Sequence, residues 1–359
     1  MTASPYHVIS RPDQVREVFN RPEAFRSANA LVAVRTLSPQ SLRVLQGVRF
    51  ALPPVLANND SDSHSGIRRV AGGFFTPAIV MGLEPRIAEL AGEALQRVAS
   101  ELEADGTSDL VVSIAAMPPV VLMLEMLGLP VRDLPQLKIW SRDSLELFWG
   151  WPDDGRQLEL AHSSAAFYTW LRELVAEMVD APGHNLFKSL AEHGLDSAQI
   201  CSLGYFLLIA AQETTSQLVG STLFRLLDGT VPVSWADAAT RAGASAAVRH
   251  ILVTESPGPT ARRVVAEEME FHGTVLPAGA EILLELTGNH GPESEPTAYS
   301  LAFGSGIHRC LGARLSELEA TVIVQATAAA FPALKLLDFA PEWTELLSFR
   351  SPRSVLVST

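Results

Sequence analysis

The chain has 359 residues, 47% of them hydrophobic, and a net charge of −13 from 27 basic and 40 acidic residues. That content fills a large core and excludes disorder as the main state, while interspersed charge with an acidic excess argues against a nucleic-acid binder. Cys201 and Cys310 are too few for a disulfide scaffold, and with no secretory signal at the start a reducing, cytoplasmic location is expected.

In chain order, HVIS at 7–10 followed by RPDQVREVF reads as a strand end and a short helix with Pro12 near its start. Residues 28–60, with prolines at 39, 53 and 54, read as a long loop with one short helix. In SHSGIRRVAGGFFTP at 63–77, His64 and Arg68 are four apart, so both reach toward one anion from one helical face. Residues 81–135 read as helices. Their most apolar run, Leu110 to Leu124, is short for a membrane span and contains Pro118-Pro119, which predicts a buried helix pair and no anchor. From Trp140 to Val179 aromatics are dense. Most should fill core; Phe148 to Trp151 are pocket candidates because Gly150 and Pro152 mark a break.

Residues 198–229 are nearly all apolar and predict a long, buried central helix. Thr214 in its middle can bond back to a carbonyl and loosen the helix into a groove. Glu213 beside it adds an acid to the alcohol, as a proton relay requires; the same pair also suits a polar notch satisfied within a core. SPGPTARR at 256–263 reads as a turn and strand, small from Gly258 to Ala261. Hairpin signals follow at Gly273 and Pro277-Ala278-Gly279. FGSGIHRCLG at 303–312 sets Cys310 among glycines directly before a helical run. Gly304, Gly306 and Gly312 are expected to supply turns closed to other residues. Helix-start N–H groups should stabilise the Cys310 thiolate. Short strands and a loop close the chain.

FGSGIHRCLG resembles the haem-ligand loop of the cytochrome P-450 family, F-x-x-G-x-H/R-x-C-x-G, at Phe303, Gly306, His308, Cys310 and Gly312. AAQET at 210–214 resembles the family's A-G-x-D/E-T, with Ala211 replacing glycine and narrowing the oxygen groove. The resemblance implies a mainly α fold with a small β portion, one domain over residues 1–359, shortened at its N-terminus. It implies haem b held by the Cys310 thiolate, with His64, Arg68, Arg263 and His308 on its propionates. Phe303 and Gly306 would shape the loop, and Glu213 and Thr214 would deliver protons. The activity implied is monooxygenation, a hydroxylation or epoxidation of a hydrophobic small molecule, free or carrier-bound, in bacterial secondary metabolism. Ferredoxin and ferredoxin reductase would supply electrons. Arg69, Arg309 and Arg314 suit an acidic ferredoxin dock on the thiolate side, or equally a solvated basic rim.

The family pattern fails in one place. Aligning Ser256-Pro257 with the family's turn puts His250 and Val253 where its Glu-x-x-Arg pair should stand, and the following meander shrinks to GNHGPESEPTAYS. Removing every member of a buried charge network together is far less costly than removing one. Two other readings stay open. One is a haem enzyme of rearrangement, dehydration or cyclisation; the other is a haem-free relative assisting another biosynthetic enzyme, against which the intact ligand loop argues.

Overall fold

The computed structural model describes residues 6–288 and 301–359. Its axis is the helix Ser197–Leu227, apolar on nearly every side and buried along most of its length. A capping box starts it: Asp196 accepts from the Gln199 N–H, and Gln199 accepts from the Asp196 N–H. Around it pack the helices Met117–Met126, Leu134–Trp149, Asp154–Asp180, Arg241–Thr254 and Ala313–Ala330. A helix apolar all round needs such a jacket, which is why the mainly α architecture follows from this one segment.

The aromatic stretch fills core, as expected. Phe50, Phe148, Phe167 and Tyr168 surround Tyr205 of the central helix at ring separations of 4.7 to 6.4 Å. The buried Tyr205 hydroxyl shares a 2.6 Å hydrogen bond with Ser144. The break falls at Gly150, where a Cβ would lie 2.5 Å from the Glu146 carbonyl oxygen. Past the break, Trp151 turns to solvent, 58% exposed, and leaves the set of pocket candidates. The apolar run from Leu110 forms an irregular turn, Val111–Ala115, and then the buried helix Met117–Met126. Among the described residues no helix is long and apolar enough to cross a membrane.

The β portion is small. His7–Ile9, Glu281–Glu285, Thr260–Val265 and Phe25–Arg26 form one sheet in that spatial order, the first pair parallel and the others antiparallel. A second apolar cluster, with Val15, Val18, Phe19, Phe25 and Ile282, fixes the helix Pro12–Phe19 to this sheet. The hairpin of Met269–Phe271 and Thr274–Leu276 turns through His272 and Gly273, both at positive φ.

Val253 is buried as an apolar residue, so the helix Arg241–Thr254 carries no acid–arginine pair at 250 and 253. Other pairs fasten this helix. Arg225, in the last turn of the central helix, grips Glu255 with two hydrogen bonds of 2.6 and 2.9 Å and Asp228 with one of 2.8 Å. Its guanidinium lies 5.1 and 5.3 Å from the Phe224 and Trp343 ring centres. Arg249 pairs with Glu317 at 2.8 Å. The shortened meander, residues 289–300, lies outside the described residues.

Candidate active site

The cysteine loop is closed by its own backbone. The Gly304 N–H donates to Leu301 O at 2.7 Å, and the Cys310 N–H to Phe303 O at 2.9 Å. Gly304 and Gly306 adopt φ of 68° and 66°, the left-handed region that both were expected to need. A Cβ on Gly306 would stand 2.3 Å from the Phe19 carbonyl oxygen. Gly306→Ala therefore combines about 1–3 kcal/mol of backbone strain with a backbone clash. Its thermal midpoint should fall by several degrees, and an unchanged midpoint in calorimetry would contradict this. Gly312 corrects the expectation: its φ of −84° is ordinary, and a Cβ there would meet the Phe75 ring at 3.7 Å and Cys310 Sγ at 3.9 Å.

Cys310 exposes its side chain to an internal cavity of 370 Å³, large enough for a small organic ligand. Surrounding protein desolvates the sulfur and pushes the thiol pKa up. The N–H groups of Gly312 and Ala313 and the charges of Arg68 and Arg309 pull the other way without prevailing. The helix start alone thus does not make the thiolate; a coordinated metal ion does so outright. Ala210, Ala211, Thr214 and Thr215 of the central helix form a second wall, and Ser256 to Gly258 with Thr260 and Ala261 a third. Between them stand apolar side chains, among them Leu31, Phe75, Met123, Trp149 and Phe206.

Arg68, Arg263, Phe303 and His308 also line this cavity. Arg263 is 5% exposed and lies 4.9 Å from the Phe19 ring centre. Burial lowers its pKa to about 10, so it stays a cation at neutral pH, with no carboxylate in ion-pair reach among the described residues. Arg68 donates to the Arg309 carbonyl, joining the helix Ser63–Gly72 to the cysteine loop. His308 Nε2 donates to Asn59 O at 2.9 Å, and burial drives its pKa to about 4, keeping the ring neutral. His64 sits behind it, rings 4.9 Å apart, with its buried Nε2 unpartnered. Burial, then the Arg68 charge, lowers its pKa as well. The buried Arg263 and the half-buried Arg68 thus put two guanidiniums on the cavity, which suits the carboxylates of an anionic ligand, while His64 does not reach the cavity itself. Gly306 shapes the loop without reaching the cavity. Asp60, 3.7 Å from His308 and held by the Ser27 N–H and hydroxyl, joins this group with no signal in the sequence, where it ends the stretch read as a loop.

The expected relay pair is split. Thr214 Oγ1 does donate back to Ala210 O at 2.7 Å, but the helix runs unbroken past it. Glu213 faces a different space, a polar cleft lined by Lys138, Arg142, Gln217 and Arg353. There it lies 2.5 Å from Lys138 Nζ, each side chain 5% exposed. Lys138 also donates to Ser216 Oγ at 3.3 Å.

No protein-family model matches the sequence. The chain is, however, 31% identical over 323 residues to the cytochrome P-450 monooxygenase PikC of Streptomyces venezuelae, covering 84% of this chain and 74% of that one. The chain belongs to the cytochrome P-450 family. This P-450 is also 29% identical to the erythromycin C-12 hydroxylase of Saccharopolyspora erythraea, across 86% of itself and 81% of the relative. Its fold superposes on cytochrome P-450 CREJ, solved in complex with (4-ethylphenyl) dihydrogen phosphate. The TM-score is 0.90 at 28% identity, over 100% of this chain and 93% of the other. The protein is an oxidoreductase of the P-450 class, whose cofactor is a haem-thiolate.

Proposed function

We propose that this P-450 binds haem b through the Cys310 thiolate and hydroxylates or epoxidises a hydrophobic small molecule of bacterial secondary metabolism, in the cytoplasm. The observation that carries the reading is one cavity that has the Cys310 sulfur on one wall and the Thr214 hydroxyl on another. The haem supplies the oxygen-activating chemistry, its thiolate ligand favouring O–O cleavage. Arg68, Arg263 and His308 bind the propionates, with His64 behind them; Phe303 closes the cysteine loop. Thr214 donates its hydroxyl hydrogen bond to Ala210 O, so its oxygen lone pairs would be free to accept from a water in the cavity. The Ala211 methyl narrows that place. Leu31, Met123, Trp149 and Phe206 bind the substrate by apolar contact and exclude bulk water. The named activity of one bacterial relative, hydroxylation of erythromycin at C-12, supports a secondary-metabolite substrate, free or carrier-bound. Ferredoxin, reduced by its reductase, docks at the exposed Arg69, Arg309 and Arg314 beside the cysteine loop.

The Lys138–Glu213 pair favours a second reading, because it holds the acid away from the cavity. In that reading the haem enzyme performs a rearrangement, dehydration or cyclisation. The reduced, carbon monoxide-treated protein should show the thiolate-type absorption band; a colourless protein overturns both readings. Product analysis with and without ferredoxin, its reductase and reductant separates them. Under the first reading, Thr214→Ala keeps its haem while product per electron falls on the order of 10-fold and hydrogen peroxide rises. Full coupling in that variant removes Thr214 from the reaction.

A further inference from the structure

The polar cleft that Glu213 faces is a second cavity, of 320 Å³. It opens between the central helix, the helix Leu134–Trp149 and a hairpin of the strands Trp343–Leu346 and Phe349–Pro352. Its charges do not cancel. Glu213 is paired with the buried Lys138, and Glu146 with Arg156 through hydrogen bonds of 2.8 and 3.0 Å. Arg353 meets Glu342 only at 3.5 Å, both side chains exposed, which holds it weakly. Arg142 is exposed and has no acidic partner among the described residues, and its charge works against that of Lys138.

Two enclosed polar side chains on the same walls also lack partners. Gln217 is 9% exposed and Ser351 5%, yet neither the Gln217 amide nor the Ser351 hydroxyl makes a hydrogen bond among the described residues. Buried polar groups are rarely left so, because each forfeits the water it had in the unfolded chain. The groups on offer are donors: guanidinium N–H of Arg142 and Arg353, amide N–H of Gln217, hydroxyl of Ser351. Both carboxylates of the cleft are already engaged, so the occupant that matches is an anion. Val111, Leu145 and Leu346 add apolar wall, which a bare inorganic anion leaves uncovered and an acid with an apolar body covers.

We propose that this cleft is an effector site for a small organic carboxylate. Arg142, Arg353 and Gln217 hold the acid group, and Val111, Leu145 and Leu346 carry the apolar body. The same three elements also line the cysteine cavity, through Trp149, Thr214 and Phe349. A ligand that fixes walls common to both spaces changes the affinity of the other space, and the effect is reciprocal.

The test is calorimetric titration of the purified protein with 3-phenylpropionate, which should bind with a Kd of about 1 mM or tighter. The neutral 3-phenylpropanol and inorganic phosphate should each bind about 10-fold more weakly, or worse. Arg142→Gln, a change at an exposed position, and Gln217→Leu should each weaken the acid about 10-fold. Absence of binding, equal affinity for the alcohol, or both variants binding as the parent does overturns the site. Phosphate binding as tightly as the acid overturns the ligand class. In the haem-loaded enzyme, saturating 3-phenylpropionate should change the affinity for 4-phenylimidazole about 5-fold or more, and Arg142→Gln should abolish the change. An unchanged affinity, or a change that persists in the variant, overturns the effector role. A protein that takes up no haem overturns the monooxygenase reading and the effector role, whereas the calorimetry decides the site by itself.

Discussion

Cys310→Ser is expected to abolish the thiolate-type band of the reduced, carbon monoxide-treated protein and to lower product formation on the order of 1,000-fold. The substitution is nearly isosteric. Serine keeps an oxygen where the Gly312 and Ala313 N–H groups now meet the sulfur, and it leaves the closure onto Phe303 O in place. Fold and cavity therefore persist, and the thermal midpoint of the haem-free protein should move by no more than a few degrees. What is lost is a soft, polarisable donor, for which an alcohol of far higher pKa is no substitute. Spectroscopy alongside turnover decides the matter. An unchanged band in the serine variant would remove Cys310 as the ligand.

Lys138→Met is expected to cost about 3–5 kcal/mol of stability, because it leaves Glu213 buried without its counter-charge. Burial already lowers the Lys138 pKa, with the Glu213 charge opposing that shift, so the pair exists by mutual compensation. Removing both charges in Lys138→Met/Glu213→Leu should restore most of the loss, since two apolar side chains pack there without a charge to solvate. Denaturant midpoints of parent, single and double variants form the cycle that measures this. A single variant within about 1 kcal/mol of the parent would mean that the pair behaves as an exposed one.

How far the sequence could be read depended on how local each signal was. The central helix, the hairpin turn at His272-Gly273 and the cysteine loop are each specified within a few dozen residues, and each was legible. Glu213 and Thr214 adjoin in sequence, which alone makes them look like partners. On a helix, successive residues point about 100° apart, and here they open onto separate spaces. Glu319, a buried carboxyl of the helix Ala313–Ala330 on the cavity wall, carried a usable signal: Leu315, Glu319 and Val322 share the spacing of one buried stripe, and the charged member is the anomaly. Asp60 carried none, because its partners Ser27 and His308 are 33 and 248 positions distant, and only the folded chain joins them. The same holds for Arg225 and Glu255, whose pairing spans 30 positions.

That last pairing changes which parts of the enzyme must move as one. Glu255 directly precedes Ser256 and Pro257, the start of the third cavity wall, while Arg225 ends the helix that carries Thr214. A guest that pushes the long helix aside therefore drags this ceiling with it, coupling the size of the compartment to the seat of the alcohol. Admission of a bulkier compound and placement of its reactive carbon become one adjustment, transmitted through the Arg225 guanidinium together with the packing of the two helices.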